Sequence, residues 1–582
     1  MEYFLFSDLP VFFKGVLSVL IVTLLPGFML TREINARSAC ERALLIFLAS
    51  ITTIYAFGTL AGVVGFSIKK WIDAVLWVTL AASVIILWLR PAHPGRAPLT
   101  LTELSLLLLA LAILMIGPGV VWWDSRLVFG SDALVSWDAW ARIWADGAVP
   151  LEAYGYPQFI SIVWSVPYWL LGPEGQLFAV QINSLLLTLP VFLAGGVGIA
   201  SGRAVPALLA LTAFSLFILM DQNTWLYETL RLGMPDFTAA AFVSGGLIVL
   251  SAHGNAVDRR MDGIAFWMFA IAASIKLVCG FFALALLAAT TVEAFQRRDQ
   301  SSKRAVVTQS AMLAVTATLY FVYFARVANI TMPPFALEPA FAAQLANAYG
   351  KIALSYPWAW LMLAIVAGGA LTFPISSLRR GLFATTIAAG LLLWTRRSAY
   401  DLRAALPFLA AGATMLAIAA GERLSRVRIK LPKAPGAPAV LLLLGVILVA
   451  APSLQKYRVN PRVLYDTAQF QVVDRGPKWH QSLLDQLNKG CTIATTYGFA
   501  AYIDRFKPFI PAQLLFVKNQ ASDFMDAFRK IDSRTKCIAI AAPETPDLGA
   551  NLVADISTLA GRGAQVVAIS DQGLRLVVWP AP

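Results

Sequence analysis

Phe159-Ile-Ser-Ile-Val-Trp-Ser-Val-Pro-Tyr-Trp-Leu-Leu171 is the stretch that decides how this chain threads a membrane. As a helix it rises only about 20 Å, short of a ~30 Å hydrocarbon core. Pro157 precedes it and Pro167 sits inside it. We read it as a re-entrant or interfacial segment that does not cross. The choice fixes the side of every later loop, so loop charge tests it. With the N-terminus outside and no crossing here, the cytoplasmic connections collect Arg32, Arg37, Arg42, Arg90, Arg96, Arg203, Arg259 and Arg260. They also collect Arg297, Arg298, Lys303, Arg304, Arg379, Arg380, Arg423, Arg426, Arg428, Lys430 and Lys433. A crossing would move the 259–260 and 297–304 clusters outside, against the positive-inside bias.

Working outward, apolar runs recur almost to residue 452. The chain has 582 residues, 58% of them hydrophobic and only 14% charged, with a mean hydropathy of +0.70. A soluble chain carries roughly a quarter charged residues. Spans are expected at about 9–30, 43–66, 73–89, 100–121, 177–198, 203–220, 236–252, 262–276, 278–294, 305–325, 356–375, 381–395, 404–421 and 437–452. The first run lacks a basic leader and a small-residue cleavage site, so it reads as a retained helix. The expected architecture is an all-α polytopic membrane domain of about fourteen transmembrane helices plus the short segment, followed by a small extracytoplasmic α/β domain. Its parts are N-terminal helices over 1–121, a large outer loop with interfacial helices over 122–176, a transmembrane core over 177–452 and the α/β domain over 453–582. The net charge of +13 follows from the loop bias. No glycine-rich phosphate loop follows a strand, and no basic stripe interleaves with aromatics, which excludes a nucleic-acid partner.

The tail alternates strand-like runs (491–496, 536–541, 565–570 and 574–579) with helical ones (480–488, 523–531 and 552–561). Cys491 and Cys537 each stand one residue before a strand-like apolar stretch, Thr492-Ile-Ala-Thr and Ile538-Ala-Ile-Ala. If those strands are neighbours, a disulfide is feasible and implies an oxidising compartment, and two free thiols are the equal alternative. Cys40 and Cys279 stand singly in apolar surroundings. His93, His253 and His480 do not cluster, which argues against zinc.

The first outer loop is acidic, with Asp124, Asp132, Asp138, Asp146 and Glu152 against Arg126 and Arg142. From Ser131 to Ala145 the spacing is helical. Trp137, Trp140 and Trp144 share one face, and Asp138 and Arg142 stand at i, i+4 on the other. Such a helix is expected to lie in the membrane–water interface. Asp132 at its start reads either as a helix N-cap or as a carboxylate able to deprotonate a hydroxyl.

Ser131-Asp132-Ala133 with Trp137, Tyr156-Pro157, and Gly233-Met234-Pro235-Asp236-Phe237 follow one another outside the membrane. Ser274-Ile275-Lys276 with Gly280, and Tyr400-Asp401-Leu402-Arg403 with Pro407, come later. In order and placement they resemble the bacterial GT-C glycosyltransferases related to protein mannosyltransferases and aminoarabinose transferases. The resemblance covers roughly residues 115–420 and rests on short motifs. It implies an inverting transfer from a polyprenyl-phosphate sugar to a lipid, glycan or protein acceptor at the outer face of the bacterial inner membrane. It also implies Asp132 as base and Asp236 as the second acidic position. The chain departs from the family in having no acidic residue after Lys276 and three extra helices before the loop. No adjacent acidic pair stands in the loop, which argues against a metal-dependent mechanism without settling whether a divalent metal is bound.

A phosphate leaving group needs cations. Arg396, Arg397 and Arg403 gather near Tyr400 at one outer junction, with Lys276 and Arg231 near other outer ends and Tyr156 at the loop's exit. Arginine grips phosphate bidentately. Snorkelling to headgroups accounts equally for Arg396-Arg397. An ionisable residue in an apolar run, such as Lys276, defaults to function. For Asp236 helix capping is the alternative. Two other classes compete. A transporter or flippase of lipid-linked saccharide would show repeats and midplane charges, and neither is present. An O-antigen ligase or polymerase would carry arginine-rich outer loops without an acidic first loop.

Overall fold

The computed structural model describes residues 9–32, 34–64, 101–114, 134–150, 156–172, 175–219, 235–254, 257–327, 359–397, 402–426, 489, 491–496, 514–517, 537–543, 565–569 and 574–580. The expected spans 73–89 and 437–452 lie outside the described residues. A described helix falls on each of the others. In chain order these are α1 (Leu9–Thr23), α2 (Leu25–Leu30), α3 (Ala39–Val64), α4 (Leu101–Leu114), α5 (Ala139–Ala145, entered through a π turn Leu134–Asp138) and α6 (Phe159–Leu171). Then come α7 (Gly175–Ala200), α8 (Ala204–Leu219), α9 (Pro235–Ser251), α10 (Arg259–Ile275), α11 (Gly280–Arg297), α12 (Gln300–Val327), α13 (Ala359–Thr372), α14 (Ser377–Arg397) and α15 (Leu406–Arg426). Among the described residues four helices are long and apolar enough to cross a membrane: Ala39–Val64, Gln181–Ala200, Leu277–Arg297 and Gln300–Val327. The chain is a multi-pass membrane protein.

Contacts divide the chain into two compact units, Met1–Ser125 with Trp140–Arg458, and Arg126–Ala139 with Val459–Pro582. At the centre of the first lies α9, buried along its whole length between α7, α10 and α15. Past Asp236 in its first turn it carries apolar or small side chains on every face, as suits a helix with no solvent face. Its glycines let neighbours close in: a Cβ at Gly246 would overlap the Phe269 ring, and one at Gly245 the Met268 methyl. Phe269, Phe282, Phe383 and Phe408 join α10, α11, α14 and α15 at centroid separations of 5.7–6.2 Å.

Opposite charges lock one end of this bundle. Arg379 at the start of α14 spans Asp262 of α10 and Glu293 of α11 with four hydrogen bonds of 2.6–2.8 Å. Arg259 bonds the same two carboxylates and Ser302 of α12. Arg260 pairs with Glu41 of α3, Arg37 with Asp258, and Arg203 with Glu422 of α15. The loops that charge assigned to one side therefore meet at one end of the helices.

Asp258 caps α10 by accepting from the backbone of Arg260 and Met261. Partial burial pushes its carboxyl up, but the Arg37 guanidinium and the two backbone bonds outweigh that and hold it below its usual value. A depressed pKa contributes stability that is present above about 4 and is lost as pH falls through the folded value. Asp258→Ala should cost about 1 kcal/mol, whereas Asp258→Asn, still a competent cap, should cost less. Both should also unfold with a weaker acid dependence below pH 4. Unfolding midpoints of the detergent-solubilised chain at pH 5 and pH 3 check this, and wild-type-like acid sensitivity in both variants would refute it.

Burial by protein adds two details. The tryptophan-faced helix does not lie open in the interface: Trp140 and Trp144 are buried, and Trp144 packs on Tyr323 of α12 and against Gly62 of α3. The short segment α6, expected to be re-entrant or interfacial, has nearly all its side chains buried between α1, α3 and α7. Tyr55 and Gly58 of α3 contact Phe159 and Ile162. The N-terminal helix α3 is thus part of the core, not an appendage.

The second unit holds a five-stranded sheet of β1 (Cys491–Thr496), β2 (Leu514–Val517), β3 (Cys537–Pro543), β4 (Gln565–Ile569) and β5 (Leu574–Pro580), in the order β2-β1-β3-β5-β4. β1 runs parallel to β2 and β3, whereas β5 is antiparallel to β3 and β4. The tail's expected helical runs lie outside the described residues. Cys537 is in a disulfide, and the register sets Cys491 directly across from it.

Candidate functional site

Two residues singled out separately in the sequence meet here. Pro235 opens α9 at a position where its missing N–H costs nothing, and Asp236 follows in the first turn, where the helix dipole favours a negative charge. α10 returns antiparallel and stops at Lys276, whose backbone is extended (φ −146°, ψ 112°). One 3-10 turn, Leu277–Cys279, then leads into α11. The Lys276 ammonium pairs with the Asp236 carboxylate. Asp236 is nearly buried, its side chain 7% exposed, while Lys276 keeps 24%. Among the described residues the ammonium uses one of its three N–H groups. The N-terminus of α11 begins four residues further on, so a second positive helix end lies close by in the chain.

This pair stands at the end of the bundle opposite the Arg379 network, because α10 begins in that network and ends at Lys276. α14 also begins in the network and ends at Arg396-Arg397, so its last turn belongs to the same end as the pair. Arg403 falls in the 3-10 turn Leu402–Ala405 that leads into α15. Asp132, Arg231 and Tyr400, and the side chains of Arg396, Arg397 and Arg403, lie outside the described residues. Tyr156 is described: the residue is 57% exposed and its ring centroid lies 6.2 Å from that of Trp140. Among the described residues no three His, Cys, Asp or Glu side chains gather to hold a metal ion.

The Asp236–Lys276 pairing went unread in the sequence although a signal existed. Two helices of 17 residues joined by a short loop bring the start of the first to the end of the second. The buried amide of Gln158, which accepts from Trp144 Nε1 at 3.0 Å, gave no signal at all.

Fold and site together define a multi-pass membrane protein with a half-open ion pair at one end of its helices. No protein-family model and no curated protein sequence matches the chain. Among solved structures it is similar to the crystal structure of ArnT from Cupriavidus metallidurans in the apo state, with 16% sequence identity and a TM-score of 0.47 over 82% of this chain and 97% of that one.

Proposed function

We propose that the chain is a GT-C type glycosyltransferase that moves a sugar from a polyprenyl-phosphate donor to an acceptor at the outer face of the bacterial inner membrane. The observation that carries the reading is the Asp236–Lys276 pair at the helix end that α14 also reaches with Arg396-Arg397. A cation that is paired yet still open can take a phosphate oxygen, and the neighbouring carboxylate keeps it oriented. In this reading Asp132 takes the acceptor hydroxyl's proton while that oxygen attacks the anomeric carbon from the face opposite the phosphate. The bond from that carbon to the phosphate oxygen breaks, its electron pair leaves with the phosphate, and the configuration inverts. Lys276, Arg231, Arg396, Arg397 and Arg403 offset the charge that develops on the phosphate, Tyr400 and Tyr156 contact the donor, and Asp236 anchors Lys276. A divalent metal is left open. The disulfide at Cys537 favours an oxidising compartment for the tail, and hence an extracytoplasmic one.

Full-length protein in nanodiscs tests the reading. Native mass spectrometry should show undecaprenyl phosphate retained in preference to undecaprenyl diphosphate, and absence of monophosphate binding would sink the donor assignment. With undecaprenyl-phosphate sugars and envelope acceptors supplied, release of undecaprenyl phosphate reports turnover. Asp132→Asn should bind the lipid normally and turn over at least ~100-fold more slowly. Normal turnover in that variant would remove Asp132 as base.

A further inference from the structure

Gln158 stands at the entrance of α6 with 1% exposure, among apolar groups where an unsatisfied amide is costly. Both halves of its amide are engaged. Oε1 accepts from Trp144 Nε1 at 3.0 Å, and Nε2 donates to the Tyr156 carbonyl at 2.8 Å. The first bond reaches the last turn of α5, and the second fixes the chain just before α6. Between them Gly147, at φ +79°, turns the chain away from α5. The Gly147 and Ala148 amides close that turn on Trp144 O and Ile143 O. Trp144 is wedged between Gly62 and the Tyr323 ring. The buried side chain of Tyr323 lies beside the Gln158 amide. One buried side chain thus ties α5, the entrance of α6 and, through Trp144, α3 and α12. The residue whose backbone it grips, Tyr156, is the one that presents an exposed ring, set on Trp140.

We propose that Gln158 is a positioning residue that, through Trp144 and the Tyr156 carbonyl, holds Tyr156 as a fixed aromatic face for the sugar ring of the lipid-linked donor. The inference rests on the donor reading of Tyr156 given above. An aromatic face carries negative charge density, and the C–H edges of a pyranose are weakly positive, so ring and sugar attract when one lies flat on the other. A face pinned from behind binds without first losing conformational freedom.

The test uses the full-length chain in nanodiscs as wild type, Gln158→Met, Gln158→Glu, Trp144→Phe, Tyr156→Ala, and Gln158→Met combined with Trp144→Phe. Two quantities are measured. One is amide hydrogen exchange over 139–158, and the other is the affinity for undecaprenyl-phosphate glucose relative to bare undecaprenyl phosphate. Gln158→Met should speed exchange over 139–158 by about 10-fold and leave 259–280 unchanged. It should also cut the sugar's contribution to affinity by about 10-fold while leaving bare-lipid affinity unaltered, and Tyr156→Ala should cut the sugar's contribution at least as far. Gln158→Glu still accepts from Trp144 but has no N–H for the Tyr156 carbonyl and sets a carboxylate against it, so it should not recover the loss, and full recovery would overturn the grip on that carbonyl. The double variant should be no worse than Gln158→Met alone, because the bond that Trp144→Phe removes is one of the two that Gln158→Met already removes. A merely structural glutamine would change stability without changing the ratio of the two affinities. Unchanged exchange, additive losses, or an intact sugar contribution in Gln158→Met would each overturn the proposal while leaving the donor reading standing. If wild type binds neither lipid, the donor reading falls, and with it the sugar-binding role of Gln158.

Discussion

Replacing Arg379 by methionine will cost the folded bundle about 3–5 kcal/mol, the range expected when one member of a buried ionic cluster is removed. Arg379 is 5% exposed and covers both oxygens of Asp262 and both of Glu293. Without it two nearly buried carboxylates are left, among the described residues, with Arg259 to offset them. Arg379→Lys should recover only part of the loss, since a single ammonium cannot reproduce two bidentate contacts. Adding Asp262→Asn to Arg379→Met removes one of the stranded charges and should restore much of it. Unfolding of the purified chain in mixed micelles by titrated denaturing detergent gives the free energies. A loss under 1 kcal/mol in Arg379→Met would mean that the network is solvated and does not hold α10, α11, α12 and α14 together. Because the cluster is at the far end from Lys276, lipid-phosphate affinity in the surviving folded fraction should be unchanged.

The sequence made the helices visible because a span needs about twenty apolar residues and little else does. It could not say what each apolar face touches. Lipid tails and leucine side chains are chemically alike, so nothing in Phe159–Leu171 separates a helix against lipid from one enclosed by protein. Tryptophan carries the same ambiguity, since its ring suits an interface and its N–H suits a buried acceptor. Trp144 found Gln158, a partner fourteen residues along that no periodicity flags. Charge bias sorted Arg379 to the correct end of the bundle, but that rule counts signs and names no partners, so the four-residue cluster stayed hidden. In the tail, alternating apolar residues marked strands, and only the parallel register of β1 with β3 brought Cys491 opposite Cys537. Asp236 and Lys276 were found singly, as an acid and a base at helix ends. Their union follows from the equal lengths of α9 and α10, a geometric fact that the motifs themselves do not state.

That union sets the second prediction, in which Lys276→Met lowers turnover of an undecaprenyl-phosphate sugar by about 10³-fold. The single variant cannot by itself separate two causes. It removes a cation from the phosphate's path, and it also strands Asp236, whose side chain is 7% exposed, so that α9 and α10 lose a contact at their shared end. Combining Lys276→Met with Asp236→Asn separates them. A neutral amide at position 236 leaves no unpaired charge beside the methionine. The double variant should therefore unfold close to wild type. If Lys276 serves the phosphate, turnover and undecaprenyl-phosphate affinity stay as low as in Lys276→Met, because the missing cation is still missing. Asp236→Asn alone should be milder, about 10-fold in turnover, since the ammonium persists but is no longer aimed. Were the double variant to regain turnover along with stability, the pair would be a structural clasp and the phosphate would have to be met elsewhere.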